Sequence, residues 1–192
     1  MKSRAKDLTD EELHQIVEKA KAKDNRALGR LCEHFYSKIY RFIYYRVNSI
    51  EDAEDLTSEV CLRVVKSLPE QNGLFYAWIF RIASNLITDY YRRRAVRSNV
   101  AINEDLVEEM ADEKRTTTEL LEQQELRQAI KHLTEEQQQV IVLKFIEGYE
   151  TDEIADLVGK SAGAVRAIQF RALTALRNIF ASDMSIRKDK KV

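Results

Sequence analysis

Between residues 78 and 94 the chain reads W-I-F-R-I-A-S-N-L-I-T-D-Y-Y-R-R-R. An indole (Trp78), an amide (Asn85) and a run of guanidiniums (Arg81, Arg92, Arg93, Arg94) are the groups that stack on bases and bind phosphate. On a helix, where successive side chains turn by about 100°, Arg81, Asn85, Thr88 and Arg92 share one arc, with Trp78 and Asp89 at its border. Ile79, Ile82, Ala83, Leu86 and Tyr90 share the opposite arc and are expected to face a core. Phe75, Tyr76 and the loop 70–73 add stacking and polar groups at the start of this helix, and Tyr90 and Tyr91 place two phenols near its end. Phe75, Tyr76, Trp78, Asn85, Arg92 and Arg93 are therefore candidates for holding single-stranded bases. The same residues also fit an ordinary amphipathic helix whose basic end suits the macrodipole, and Trp78 fits core packing as well as a base contact.

A second cationic arc lies near the C-terminus. Val165, Ile168, Ala172, Ala175 and Leu176 fall on one side of a helix, and Arg166, Ala167, Phe170, Arg171 and Thr174 on the other. A phenylalanine between two arginines suits a major-groove reader, because Arg binds guanine edges or phosphate and apolar atoms meet a thymine methyl. A third cluster is acidic: Asp52, Asp55 and Glu59 recur at spacings of three and four and line one helical side. Acids also favour a helix N-terminus on macrodipole grounds alone.

Capping signals divide the chain into the helices that must carry these groups. Thr9-Asp-Glu-Glu is a capping box that opens a helix ending near Lys21, and Asp24 caps the next, whose stripe is Leu28, Leu31, Cys32, Phe35, Ile39, Phe42, Ile43 and Val47. A third helix runs from about Ile50 to Leu68, Pro69 and Gly73 bound a short loop, and the helix from Phe75 to about Arg97 follows. Periodicity weakens over 98–118, where one helical turn is expected around 104–110, and returns at Glu119. A second capping box at Thr134, a stop at Gly148, a cap at Thr151, a tight turn at Gly159 and a cap at Ser161 give the layout of a helix-turn-helix.

With 192 residues, 44% hydrophobic and 33% charged, and only five Gly and one Pro, the expected class is all-α: two small helical domains joined by an acidic linker, the C-terminal one a helix-turn-helix. The expected boundaries are 1–98, a linker at 99–118, and 119–192. Net charge is −1, but 81–98 carries +4, 103–125 carries −7 and 160–192 carries +6, the pattern of two nucleic-acid-facing modules around an acidic spacer. A flexible spacer of about 20 residues averages about 25 Å and stretches to about 66 Å. No apolar run approaches the roughly 20 residues that span a bilayer, and the N-terminal MKSRAKDLTDEELHQ lacks the apolar core of a signal peptide, so a cytoplasmic protein with reduced Cys32 and Cys61 is expected. With no C-x-x-C, three scattered His, no phosphate-binding glycine loop and no nucleophile beside a base, neither a metal, a cofactor nor an enzyme activity is expected.

The spelling of 78–94 resembles the promoter-melting helix of bacterial sigma factors, most closely the two-domain extracytoplasmic-function (ECF) type. Trp78, Arg81, Ile82, Ala83, Asn85, Asp89 and Arg92 stand where that pattern expects them. The phrase L-T-E-E-Q-Q-Q-V-I-V-L-K-F-I-E-G-Y-E-T-D-E-I-A-D-L-V-G-K-S-A-G-A-V-R is similar to the C-terminal domain of the same family. The likeness covers roughly 10–97 and 119–180, in the family's order. It implies a non-catalytic protein that binds core RNA polymerase and directs it to promoters. On that resemblance Asp52, Asp55 and Glu59 would meet the β′ clamp helices. The helix from Phe75 would open the −10 element, and the C-terminal domain would bind the −35 element and the β flap. An anti-sigma factor is an expected partner, which would hold the protein at a membrane if membrane-borne. The pattern often has Gln at Ser58, an aromatic at Cys61, Thr at Ala164 and a small polar residue at Ala167, so promoter sequence does not carry over. A free-standing helix-turn-helix regulator leaves 78–94 and the acidic helix unexplained. A sigma mimic that titrates an anti-sigma factor has no need of both basic faces.

Overall fold

Thr9 opens the first helix through the reciprocal pair its spacing predicts: the Glu12 N–H donates to the Thr9 hydroxyl at 3.2 Å, and the Thr9 N–H to the Glu12 carboxylate at 2.9 Å. In this computed structural model, which describes residues 8–98 and 117–189, that helix is α1 (Asp10–Lys21) and turns Leu13, Ile16, Val17 and Ala20 inward. Asp24 caps α2 (Asn25–Tyr44) by accepting from the N–H groups of Arg26 and Ala27. The α2 stripe Leu31, Phe35, Ile39, Phe42 and Ile43 is wholly buried and forms the spine of the first domain. Ser49 caps α3 (Ile50–Ser67), and a tight turn at Leu68–Glu70 leads to a loop in which buried Gln71 donates to the Gly73 carbonyl at 2.8 Å. Gly73 takes a φ of 81°, which lets the chain turn into α4 (Phe75–Ser98).

The second domain begins with α5 (Thr117–Lys131). Thr134 and Gln137 exchange capping bonds at the start of α6 (Glu135–Ile141), which widens into one π-type turn over Val142–Ile146 before Gly148. Thr151, expected to cap the next helix, is instead its first residue: α7 (Thr151–Val158) is capped at Glu150, whose N–H donates to the Glu153 carboxylate at 2.6 Å. The reason is spacing, because only Glu150 has a Glu three residues on, whereas Thr151 has Ile154. Gly159, at φ 66°, closes α7 in the left-handed cap, and α8 (Ala162–Asp189) follows. All regular structure among the described residues is helical. The spacer expected at 99–118 lies outside the described residues from 99 to 116.

α4 departs from its expected single buried stripe. Ile79, Ala83 and Leu86 are buried as predicted, but Phe80 and Ile87 are equally buried on a second side, while Ile82 and Tyr90 are only half-buried. Phe80 lies between the domains, 4.8 Å from the Phe42 ring of its own and 5.9 Å from the Tyr149 ring of the other; α7 packs on α4, and the turn after α6 packs on α2. Thr88, expected on the open arc, therefore sits in the seam, with its hydroxyl 2.6 Å from the Glu135 carboxylate.

Candidate nucleic-acid interfaces

With two sides of α4 buried, what remains open is a narrow cationic strip. Arg81, Asn85, Arg92 and Arg93 are exposed. Arg92 is held only loosely by Asp89, at 3.7 Å, and the Arg93 Nε–H donates to the Asp89 carbonyl at 3.3 Å, so both guanidiniums keep donors facing solvent. The phenols of Tyr90 and Tyr91 are not part of this strip. Tyr90 donates to Asp52 at 2.8 Å, and burial, reinforced by that carboxylate, pushes its pKa well above the ordinary tyrosine value. Tyr91 donates to the Arg46 carbonyl, which fastens α4 to the end of α2.

The aromatic start of α4 is packed rather than open. Phe75 is buried, its ring edge-on to Phe35 at 6.1 Å, and Trp78 is half-buried against Phe75 at 6.1 Å. Tyr76 shares a hydrogen bond of 2.7 Å with His34 Nε2 and lies under the Lys38 ammonium. Of the predicted strand-binding set, then, Asn85, Arg92 and Arg93 face solvent together, and Phe75, Tyr76 and Trp78 form an aromatic cluster about two to five turns earlier.

On α3 the three predicted acids differ. Asp52 is tied inward by the Ser49 hydroxyl at 2.7 Å and by Tyr90. Glu59 pairs with Arg63 at 2.9 Å, and Asp55 is exposed. Leu62, 55% exposed and seven residues after Asp55, extends the same side with apolar surface that sequence reasoning did not single out.

α8 matches its sequence arcs. Val165, Ile168, Ala172 and Leu176 are buried, while Arg166, Ala167, Phe170, Arg171 and Thr174 are exposed. Phe170 is 73% exposed, so it does no packing work in the fold. The Ala164 N–H donates to the Ser161 hydroxyl at 3.2 Å, which fixes the helix start, and the Thr174 hydroxyl donates back to the Phe170 carbonyl at 2.9 Å. Two cationic, exposed helical faces thus sit on two separate domains.

A family model described as Sigma-70 region 2 matches residues 31–97, and one described as Sigma-70, region 4 matches residues 129–178. The ECF RNA polymerase sigma factor BldN of Streptomyces coelicolor is 33% identical over 184 residues, covering 93% of this chain and 70% of that protein. The ECF sigma factor SigD of Mycobacterium tuberculosis is 30% identical over 184 residues, covering 88% of this chain and 84% of its own length. Among solved structures, CnrH in complex with the cytosolic domain of CnrY shares the fold at a TM-score of 0.68, with 22% identity over 88% of this chain and 97% of that one. RpoE in complex with the anti-sigma factor NepR from Bartonella quintana does so at 0.57, with 17% identity over 90% and 96%.

Proposed function

The chain belongs to the ECF RNA polymerase sigma factors of the sigma-70 family, and from that premise we propose how its faces divide the work of starting transcription. The exposed carboxylate of Asp55, with Glu59 and the neighbouring Leu62, docks α3 on the β′ clamp helices, with Asp52 at the edge of the contact. Complementary charge speeds and orients such an encounter. Asn85, Arg92 and Arg93 hold the opened −10 strand, and the aromatic cluster of Phe75, Tyr76 and Trp78 borders the place where a base would stack. Arg166, Ala167, Phe170, Arg171 and Thr174 enter the major groove of the −35 element. Residues 1–98 and 119–192 act as the two modules, and 99–118 spans between them while the second module also meets the β flap. We further propose an anti-sigma partner, as is common among ECF factors, and action in the cytoplasm. Among the described residues no helix is long and apolar enough to cross a membrane.

The observation that carries this reading is the pair of exposed cationic faces, one per domain, on the helices that the two family regions cover. Reconstitution of core RNA polymerase with this chain on a fragmented genomic template tests it. Discrete promoter-initiated transcripts are expected only when the chain is present. Transcription indistinguishable from core enzyme alone would overturn the proposal.

A further inference from the structure

The start of α2 carries charge that works against its own helix. α1, α3, α6 and α7 each place acids in their first turn, where the helix dipole favours them. α2 has no acid there and carries Arg26 instead, with Arg30 one turn later. A cation at a helix N-terminus and like charges four residues apart both weaken a helix. The turn into α2 adds Lys19, Lys21 and Lys23, so residues 18–30 hold five cations against Glu18 and Asp24. Both acids are engaged locally. Glu18 pairs with Lys21 at 2.9 Å, and the Asp24 carboxylate accepts from the N–H groups of Arg26 and Ala27 at 2.9 and 3.1 Å. Lys19, Lys23, Arg26 and Arg30 are exposed, and among the described residues none of the four forms an ion pair. The corner is also fixed in shape. Lys23 takes a φ of 65°, a region glycine fills more easily, and the N–H groups of Ala22, Lys23 and Asp24 close onto the carbonyls of Glu18, Ala20 and Lys19 at 3.1, 3.0 and 3.2 Å. Local repulsion and local strain are thus kept at a surface where neither serves the packing.

This corner is joined to the aromatic start of α4. Arg26, Arg30, His34 and Lys38 stand four residues apart and form one ridge along α2, about 18 Å from end to end. The far end of the ridge meets Tyr76, which shares its hydrogen bond with His34 at 2.7 Å and has the Lys38 ammonium 5.1 Å from its ring centre. A cleft runs the same way: Phe75, Tyr76 and the loop 71–73 line it, and it follows α1 as far as Lys21. Five carboxylates line the cleft too, Asp10 and Glu18 from α1 and three from the second domain, so the surplus positive charge lies at the corner. The chain leaves α4 at Ser98 toward the module assigned to the upstream element, which makes the Arg92 end of α4 the upstream end and the Phe75 end the downstream one.

We propose that Arg26 and Arg30, with Lys19 and Lys23 beside them, hold the phosphates of the opened strand just downstream of the segment captured by α4. The assignment rests on the reading of α4 as the strand holder. The grip is independent of sequence, because phosphate contacts position a strand without reading its bases. It gives the electrostatic cost in α2 a purpose, since each cation released from its neighbours' repulsion by a phosphate contributes more to the complex than to the free fold.

The test uses core polymerase bound by the full chain and two forked promoter templates. One unpaired strand ends at the downstream edge of the −10 element. The other continues for about six nucleotides, enough to cover the ridge at about 3.4 Å per nucleotide. Arg26→Gln with Arg30→Gln is expected to bind the short template as the wild type does and to lose most of the affinity that the extension adds. On the long template its slope of log affinity against log salt should fall by about 1.4, at about 0.7 for each single-strand phosphate contact removed. That is an affinity loss about sevenfold smaller between 50 and 200 mM salt. Arg26→Lys with Arg30→Lys should keep both the gain and the slope, because a phosphate accepts a point charge as well as a fork. The Gln variant should also unfold in urea no earlier than the wild type, since it removes repulsion; earlier unfolding would show that the arginines serve the fold and overturn the proposal. An equal gain from the extension in wild type and Gln variant, or an equal loss on both templates, overturns it as well. Asn85→Ala with Arg92→Ala separates the two assignments and should weaken both templates. If it weakens neither, the α4 assignment has failed, while the gain from the extension judges the corner separately.

Discussion

α4 and α8 both carry a cationic face, but they are built on different plans. α8 buries one stripe, Val165, Ile168, Ala172 and Leu176, and leaves the opposite arc to solvent. α4 buries more of its circumference, Phe80 and Ile87 as well as Ile79, Ala83 and Leu86, with Phe80 set between Phe42 of its own domain and Tyr149 of the other, so that only a strip from Arg81 to Arg93 stays open. A helix at the rim of one domain can be read from its periodicity. A helix shared by two domains cannot, because half of its neighbours lie far away in sequence.

The largest expected effect sharpens that contrast directly. Phe80→Ala in α4 should cost about 3–5 kcal/mol of stability, the usual range for a buried phenylalanine. Phe170→Ala in α8, an exposed site, should stay within about 0.5 kcal/mol. Urea unfolding of the two variants measures both, and equal losses would break the comparison. Next in size are the readers. Arg166→Ala or Arg171→Ala should weaken binding to a preferred upstream duplex by about 1–3 kcal/mol if the contact is a bidentate base pair reading. Asn85→Ala with Arg92→Ala should leave duplex binding alone and weaken capture of the open strand by a similar amount per lost contact. Variants of one helix that impair both steps equally would contradict the division of labour.

The fold was legible wherever the signal was local. Thr9, Asp24, Thr134 and Ser161 cap where their spacing predicts, because a cap is satisfied within three residues. The inward and outward arcs of α8 were legible for the same reason. The second face of α4 was not, because Thr88 meets Glu135 and Phe80 meets Tyr149 across 47 and 69 positions. Arg46 and Arg127 carry no sequence sign that they are buried, since their partners are backbone carbonyls, the rings of Phe42 and Tyr44, Ser84 on another helix and Glu135 in the other domain. Of the candidate site, Asn85, Arg92, Arg93 and the α8 set face solvent as read, whereas Phe75 and Tyr76 are engaged inside the fold.

A smaller effect concerns how α4 is held. Tyr90→Phe removes the bond to Asp52 and should cost about 1 kcal/mol. It should also change the alkaline limit. The Tyr90 pKa is raised in the folded chain above the ordinary value of 10.0, so its neutral phenol favours the folded state. That contribution is complete below pH 10 and is lost as pH rises through the folded value, since the unfolded chain gives up the proton first. Stability measured from neutral pH into this alkaline window should fall less steeply in Tyr90→Phe than in the wild type, and identical slopes would contradict the assignment. The smallest effect is on α3. Asp55→Asn should leave stability unchanged and lower affinity for core polymerase by about 0.2–1 kcal/mol, the range for an exposed ion pair, more at low salt. Asp52→Asn should instead lower stability, because two hydroxyls depend on it.

The central claim, that one chain reads duplex with α8 and holds melted strand with α4, is tested most directly by permanganate footprinting of a promoter bound by core polymerase and this chain. The account predicts reactive thymines in the downstream element with the wild type. It predicts that Asn85→Ala with Arg92→Ala abolishes that reactivity while upstream protection from nuclease persists, and that Arg166→Ala with Arg171→Ala removes the upstream protection first. Wild-type permanganate reactivity in the α4 variant would contradict it.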